Sequence, residues 1–184
     1  MVTEVRLVLT GGIRVGKTSF LYQWCCGVFT ETEFSLFDNS LCDYRRTENV
    51  DGVETMISIA DINVVEEQFD YVRLKVKNGQ SFIFMFDVTS RKTFDEIKEH
   101  YLSIQQIRGA PSESGSIPAV LVGSKCDMVD KRVVSAEEGK ALAEELGCPY
   151  FDVSAKEKLN LHESIIMASR QIKTETNERG CILS

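Results

Sequence analysis

The segment "GGIRVGKT", residues 11–18, follows directly on the apolar run "VRLVLT", residues 5–10. It satisfies the pattern G-x-x-x-x-G-K-[ST], in which backbone N–H groups converge on a diphosphate, a lysine reaches the outer phosphates and a hydroxyl is offered to Mg2+. A strand that runs into such a loop and then into a helix, whose periodicity here starts near Lys17, commits the chain to an α/β fold. Ile13 and Arg14 occupy variable positions, whose side chains can point outward. Neither is expected to block the cradle, but both are placed to alter what approaches a terminal phosphate.

The remaining apolar runs extend the same architecture. In "NVDGVETMISIAD", Asp51-Gly52 is a turn between two stretches that read as strands, a hairpin signal. Three further runs, "SFIFMFD" (81–87), "AVLVGSKCD" (119–127) and "YFDVSAK" (150–156), are separated by segments of helical periodicity. That alternation predicts a mixed, mostly parallel sheet of about six strands flanked by helices. Phe94, Ile97, Tyr101, Ile104 and Ile107, spaced by three and four, predict a helix that ends at Gly109 before Pro111. Ser135 with Glu138 predicts a capping box, and Asn160 with Glu163 predicts a capped last helix through Ile165 and Ile172. The segment "APSESGSIP" (110–118) reads as a surface loop. With 184 residues, 43% of them hydrophobic, the chain supports one substantial core. We expect one domain over residues 1–172 and a flexible tail over 173–184.

Composition narrows the function. Lys and Arg number 21 against 28 Asp and Glu, a formal charge of -7, and no long basic run is present. A nucleic-acid backbone is therefore repelled. The six cysteines form no C-x-x-C pair, and no N-terminal apolar run resembles a signal peptide, so reduced thiols in the cytosol are expected. No stretch is long and apolar enough to span a bilayer. His100 and His162 belong to no His/Cys/carboxylate cluster, which leaves a zinc site or an acyl-transfer triad without support.

The segments "SKCD" (124–127) and "SAK" (154–156) fall at the C-terminal ends of later strands, where a parallel sheet places its ligand. Together with the phosphate loop, "LVGSKCDM", "VSAK", "KTFDEI" and the terminal "CILS", their order and spacing resemble the Ras-like small GTPases, closest to the Ras subfamily, over nearly the whole chain. The resemblance implies a P-loop NTPase G domain that binds GTP or GDP with Mg2+. Gly12, Ile13, Arg14, Val15, Gly16, Lys17, Thr18 and Ser19 would surround the phosphates, with Lys17 neutralising β and γ oxygens. The Thr18 hydroxyl would ligate Mg2+, with Asp61 its second partner. Lys125 would pack along the nucleotide, and Asp127 would accept two hydrogen bonds that guanine donates and adenine cannot. Ser154, Ala155 and Lys156 would complete the base pocket, and Phe29 would lie against the guanine face. The family usually has Asn where this chain has Ser124, a shorter side chain expected to lose a contact that supports the loop.

Both switch signatures depart from that family. Its second switch reads D-x-x-G followed by Gln, whereas "DINVV" puts Val64 at the glycine and Val65 at the glutamine. A β-branched residue restricts the backbone swing that brings an N–H to the γ-phosphate, and valine cannot orient a water. Between Phe29 and Tyr44 the chain is about three residues longer than the family pattern and lacks its threonine; Ser40 or Asn39 stands as the substitute, with Ser40 taken as the metal ligand. "CILS" is a farnesylation pattern at Cys181. Arg170, Lys173 and Arg179 are offset by Glu175 and Glu178, and no second cysteine lies nearby, so the lipid anchor is expected to be marginal and reversible.

The implied protein is a membrane-anchored guanine-nucleotide-binding signalling protein that hydrolyses GTP slowly. It would meet effector and regulatory proteins through its switches, on the cytoplasmic face of a membrane, the plasma membrane foremost, with a cytosolic pool. Two readings stand beside it. A pseudo-GTPase interaction module would hold nucleotide permanently or not at all. A phosphate-loop kinase or ATPase would share "GGIRVGKT" but leaves "SKCD", "SAK" and "CILS" without a common account.

Overall fold

A computed structural model of the chain describes residues 3–29, 43–62, 69–109 and 117–172. The order of elements is β1 (Thr3–Gly11), α1 (Lys17–Cys26), β2 (Tyr44–Val50), β3 (Val53–Asp61), α2 (Phe69–Asn78), β4 (Ser81–Asp87), α3 (Arg91–Asp95), α4 (Ile97–Arg108), β5 (Ala119–Ser124), α5 (Ala136–Leu146), β6 (Tyr150–Val153) and α6 (Leu161–Arg170). Among the described residues these strands form one sheet in the order β2-β3-β1-β4-β5-β6. Every neighbouring pair is parallel except β2 with β3. The expected fold class, a mostly parallel sheet flanked by helices, is what the chain adopts.

Why β4 is apolar at every position from Phe82 to Phe86 follows from the two cores. Successive side chains of a strand point to opposite faces, and here both faces are covered. Phe82, Phe84 and Phe86 of β4 pack with Ile104, Leu142 and Leu146 on one side. Ile83 and Met85 pack on the other with Phe20, Trp24 and Ile165. All of β4 is buried, which fixes its place in the middle of the sheet.

Local signals set the ends of the elements. Asp51 and Gly52 both have positive φ, 53° and 86°, the backbone that a two-residue hairpin turn between right-twisted strands demands. The Gly52 N–H donates to Asn49 Oδ1 at 2.8 Å, which secures the tip. Ser135 and Glu138 make the expected reciprocal capping box on α5: the Glu138 N–H donates to Ser135 Oγ at 3.2 Å and the Ser135 N–H to the Glu138 carboxylate at 2.9 Å. Ser135→Ala leaves one of those helix-end donors without a side-chain acceptor. It is expected to lower unfolding stability by about 1 kcal/mol, read as a shift in denaturant midpoint at constant slope.

Two expectations need correction. Asn160 does not cap α6 with its side chain; it takes a left-handed backbone (φ 52°), and its Nδ2 donates instead to the Asp152 carbonyl at 2.8 Å. The helix predicted from Phe94 to Gly109 begins earlier, at Arg91, and comprises α3 and α4 joined through Glu96. Glu96 keeps right-handed helical dihedrals at the joint.

Candidate functional site

The site forms where β1, β4, β5 and β6 end at one edge of the sheet. β1 stops at Gly11, where a Cβ would lie only 2.0 Å from the Met85 carbonyl oxygen of β4, so the chain can leave the strand here only as glycine. The loop then turns through two left-handed residues, Arg14 (φ 63°) and Gly16 (φ 95°), before α1 begins at Lys17. For a non-glycine residue this backbone costs about 1–2 kcal/mol, and Arg14 adopts it because later segments hold its carbonyl. Lys17 curls back through the loop, its ammonium donating to the carbonyls of Gly11 (2.9 Å) and Gly12 (3.0 Å). Val15 is fully buried beneath the turn, whereas Ile13 is 71% exposed at its crest and Arg14 is exposed beside it.

The loop expected from the sequence to meet a base, here the base loop, grows from the end of β5. The Ser124 hydroxyl lies 2.6 Å from the Val15 carbonyl and 2.8 Å from that of Phe86, and its single proton serves one of them at a time. The Ser124 side chain therefore keeps a tie between base loop and phosphate loop. Lys125, left-handed at φ 59°, donates through Nζ to the Arg14 carbonyl at 2.8 Å and to Asp87 Oδ2 at 2.6 Å. The Cys126 N–H donates to the Val153 carbonyl at 3.2 Å, which joins this loop to the end of β6. Asp127 is exposed, and among the described residues no hydrogen bond engages its carboxylate. On the far side, the fully buried Ser154 closes a turn by accepting the Glu157 N–H at 3.0 Å, with Ala155 half-buried and Lys156 exposed. "GGIRVGKT", "SKCD" and "SAK", remote in sequence, are thus adjacent in space.

Phe29 lies half-buried just beyond α1, and no ring contact among the described residues joins it to the base loop. Asp61 ends β3 opposite Leu9 and is within electrostatic range of Lys17. Burial pushes its carboxyl above the usual carboxylate range, and the Lys17 ammonium pulls it partly back. Thr18 is exposed at the start of α1. Hard oxygen donors from one hydroxyl and one carboxylate suit Mg2+, which commonly takes one or two protein ligands beside phosphate oxygens and waters. Because Asp61 must be ionised to bind a cation, its affinity for one falls as pH drops through that raised pKa. Among the described residues no three His, Cys, Asp or Glu side chains cluster as a metal site. Ser40, Asn39, Val64, Val65 and Cys181 lie outside the described residues.

Sequence reasoning missed the support beneath the loop. Asp87, at the end of β4, is buried and bonds to Lys125. Glu96 and Thr93 pack so closely on the loop that a Cβ on Gly12 would meet their side chains at 2.8 and 3.3 Å. His100 is buried with Nδ1 3.4 Å from Thr10 Oγ1. Burial lowers its pKa, as does Lys17, against the opposing pull of Glu96 and Glu99, so the neutral imidazole is favoured. A visible signal for Asp87 was a carboxylate that closes the otherwise apolar run "SFIFMFD".

Among the described residues, no helix is long and apolar enough to cross a membrane. Compared with known families, residues 6–174 match the family model described as Ras family.

Proposed function

The chain belongs to the Ras family of GTP-binding signalling proteins, and from that premise we propose that it is a lipid-anchored member that binds GTP and GDP with Mg2+ and turns GTP over slowly. The observation that supports the reading best is the meeting of three loops: Lys125 reaches the Arg14 carbonyl and Ser124 the Val15 carbonyl, while Cys126 bonds to the end of β6. A guanine pocket and a phosphate cradle so joined suit one ligand that carries both chemistries.

In that ligand's presence the N-terminus of α1 and the loop N–H groups face negative charge, and the Lys17 ammonium exchanges two carbonyls for phosphate oxygens. Asp127 accepts from the guanine edge. Thr18 and Asp61 are the protein ligands we assign to Mg2+, with Ser40 as the third candidate. The cation, when bound, offsets phosphate charge. Slow turnover follows from two side chains. Val65 provides no hydrogen bond to an attacking water, and Ile13 projects where an arginine supplied by an activating protein would enter.

The decisive experiment is chromatography of the nucleotide released when the purified protein is denatured. GDP or GTP is the expected result. An adenine nucleotide would favour a phosphate-loop kinase or ATPase, and an empty protein that takes up no added GTP would favour the pseudo-GTPase reading.

For the anchor, Cys181→Ser is expected to move the protein wholly to the soluble fraction. The unaltered chain should itself partition incompletely, because a single prenyl chain without a basic patch binds membranes only marginally. Cell fractionation together with mass spectrometry of the C-terminus measures both, and an unlipidated Cys181 in the native cell would refute the anchor.

A further inference from the structure

We infer that Asp87 is the positioning residue for Lys125: it holds the lysine so that base loop and phosphate loop act as one surface. The inference rests on the guanine-nucleotide reading above. β4 is buried along its whole length and ends in a carboxylate whose side chain is only 9% exposed. A carboxylate so enclosed must be partnered, because burying an unpaired charge is strongly unfavourable. Its two oxygens divide the work. Oδ1 accepts from the Thr89 N–H at 2.8 Å and the Thr89 hydroxyl at 2.7 Å, and so shapes the turn into α3. Oδ2 accepts from Lys125 Nζ at 2.6 Å.

Lys125 is held at a second point. Its ammonium also donates to the Arg14 carbonyl, and its Cε lies 3.8 Å from where a Cβ of Gly16 would stand, so its stem crosses the phosphate loop. Both Lys125 and Arg14 adopt left-handed backbone. Two residues in an unfavourable conformation, bonded to each other, with Lys125 bonded also to one buried carboxylate, form a clamp whose parts depend on one another. Without the charge at Asp87 the lysine keeps only a neutral carbonyl partner and regains rotamer freedom. The nucleotide then loses a preformed wall, whereas Asp127, which discriminates the base, is untouched.

The test is the release rate of a fluorescent GDP from the wild type, Asp87→Asn, Lys125→Met and the double variant, with GTP-over-ATP preference measured in parallel. Asparagine keeps the bonds from Thr89 and removes the charge; Asp87→Ser serves the same comparison should the asparagine variant not fold. The expected result is release faster by roughly tenfold or more in Asp87→Asn, unchanged base preference, and a double variant no faster than Lys125→Met alone. Thr89→Val, which loosens the turn but leaves the lysine pair, is expected to change release less than about twofold. Release at the wild-type rate in Asp87→Asn, multiplicative effects in the double variant, or an equal acceleration by Thr89→Val would each overturn the inference. A wild type that binds no guanine nucleotide would instead overturn the functional reading beneath it.

Discussion

Replacing Val65 by glutamine and Ile13 by glycine together is expected to raise GTP turnover in the presence of an activating protein by about a thousandfold or more, and by more than either change alone. The two substitutions repair different parts of one transition state. Glutamine restores a side chain able to orient the attacking water. Glycine at the loop crest removes a branched side chain that is 71% exposed, at the position past which, on the proposed reading, an activating protein would insert its arginine. Such an arginine is worth on the order of 4 kcal/mol or more, so a steric block alone is sufficient to suppress activation. Arg14, exposed at the next position, has its backbone carbonyl held by Lys125. Single-turnover hydrolysis with and without an activating protein checks this. A double variant no faster than the wild type would show that the slow step lies elsewhere.

Asp127→Ala is expected to abolish the preference for guanine over adenine nucleotides and to weaken GDP binding by about 3 kcal/mol, roughly a hundredfold. The carboxylate is exposed and engaged by no hydrogen bond among the described residues. On the proposed reading it becomes desolvated only when a base covers it, and two charge-assisted bonds would then be made in a sheltered pocket. Lys17→Ala, by contrast, should weaken diphosphates and triphosphates while leaving base preference intact. Competition of a labelled GDP by GTP and ATP distinguishes the two, and a wild-type preference retained in Asp127→Ala would refute the base-pocket assignment.

What could be read from the sequence depended on how local the cause is. The Asp51-Gly52 turn, the Ser135 and Glu138 box and the strand-to-loop passage at Gly11 are each decided within a few residues, and all three were legible. Asn160 was misread because its amide is spent on Asp152, a partner eight residues earlier whose position the sequence does not display. The two carbonyls within reach of the Ser124 hydroxyl belong to Val15 and Phe86, 109 and 38 residues earlier, and so were not visible in the local sequence. Asp87 stood in plain view at the end of an apolar run, yet its meaning depended on a lysine 38 residues further on. Motifs announce which ligand a loop can hold, whereas the buried groups that hold the loop are visible only once the chain is folded.

The strand order has a consequence for how the chain is made. β1, which precedes the other strands along the chain, lies between β3 and β4, so neither of its edges can be satisfied until those later strands have emerged. The phosphate loop waits longer, since Val15 and Arg14 meet Ser124 and Lys125 across 109 and 111 residues. At translation speeds of about 5–20 residues per second, that interval is on the order of 5 to 20 seconds. During it an apolar central strand and a half-built nucleotide cradle must be kept from aggregation. Nucleotide can stabilise only the completed molecule, so GDP or GTP in the surrounding fluid draws late-stage chains to the native state but cannot protect early ones. Early chains depend instead on whatever shields nascent apolar surface at the ribosome.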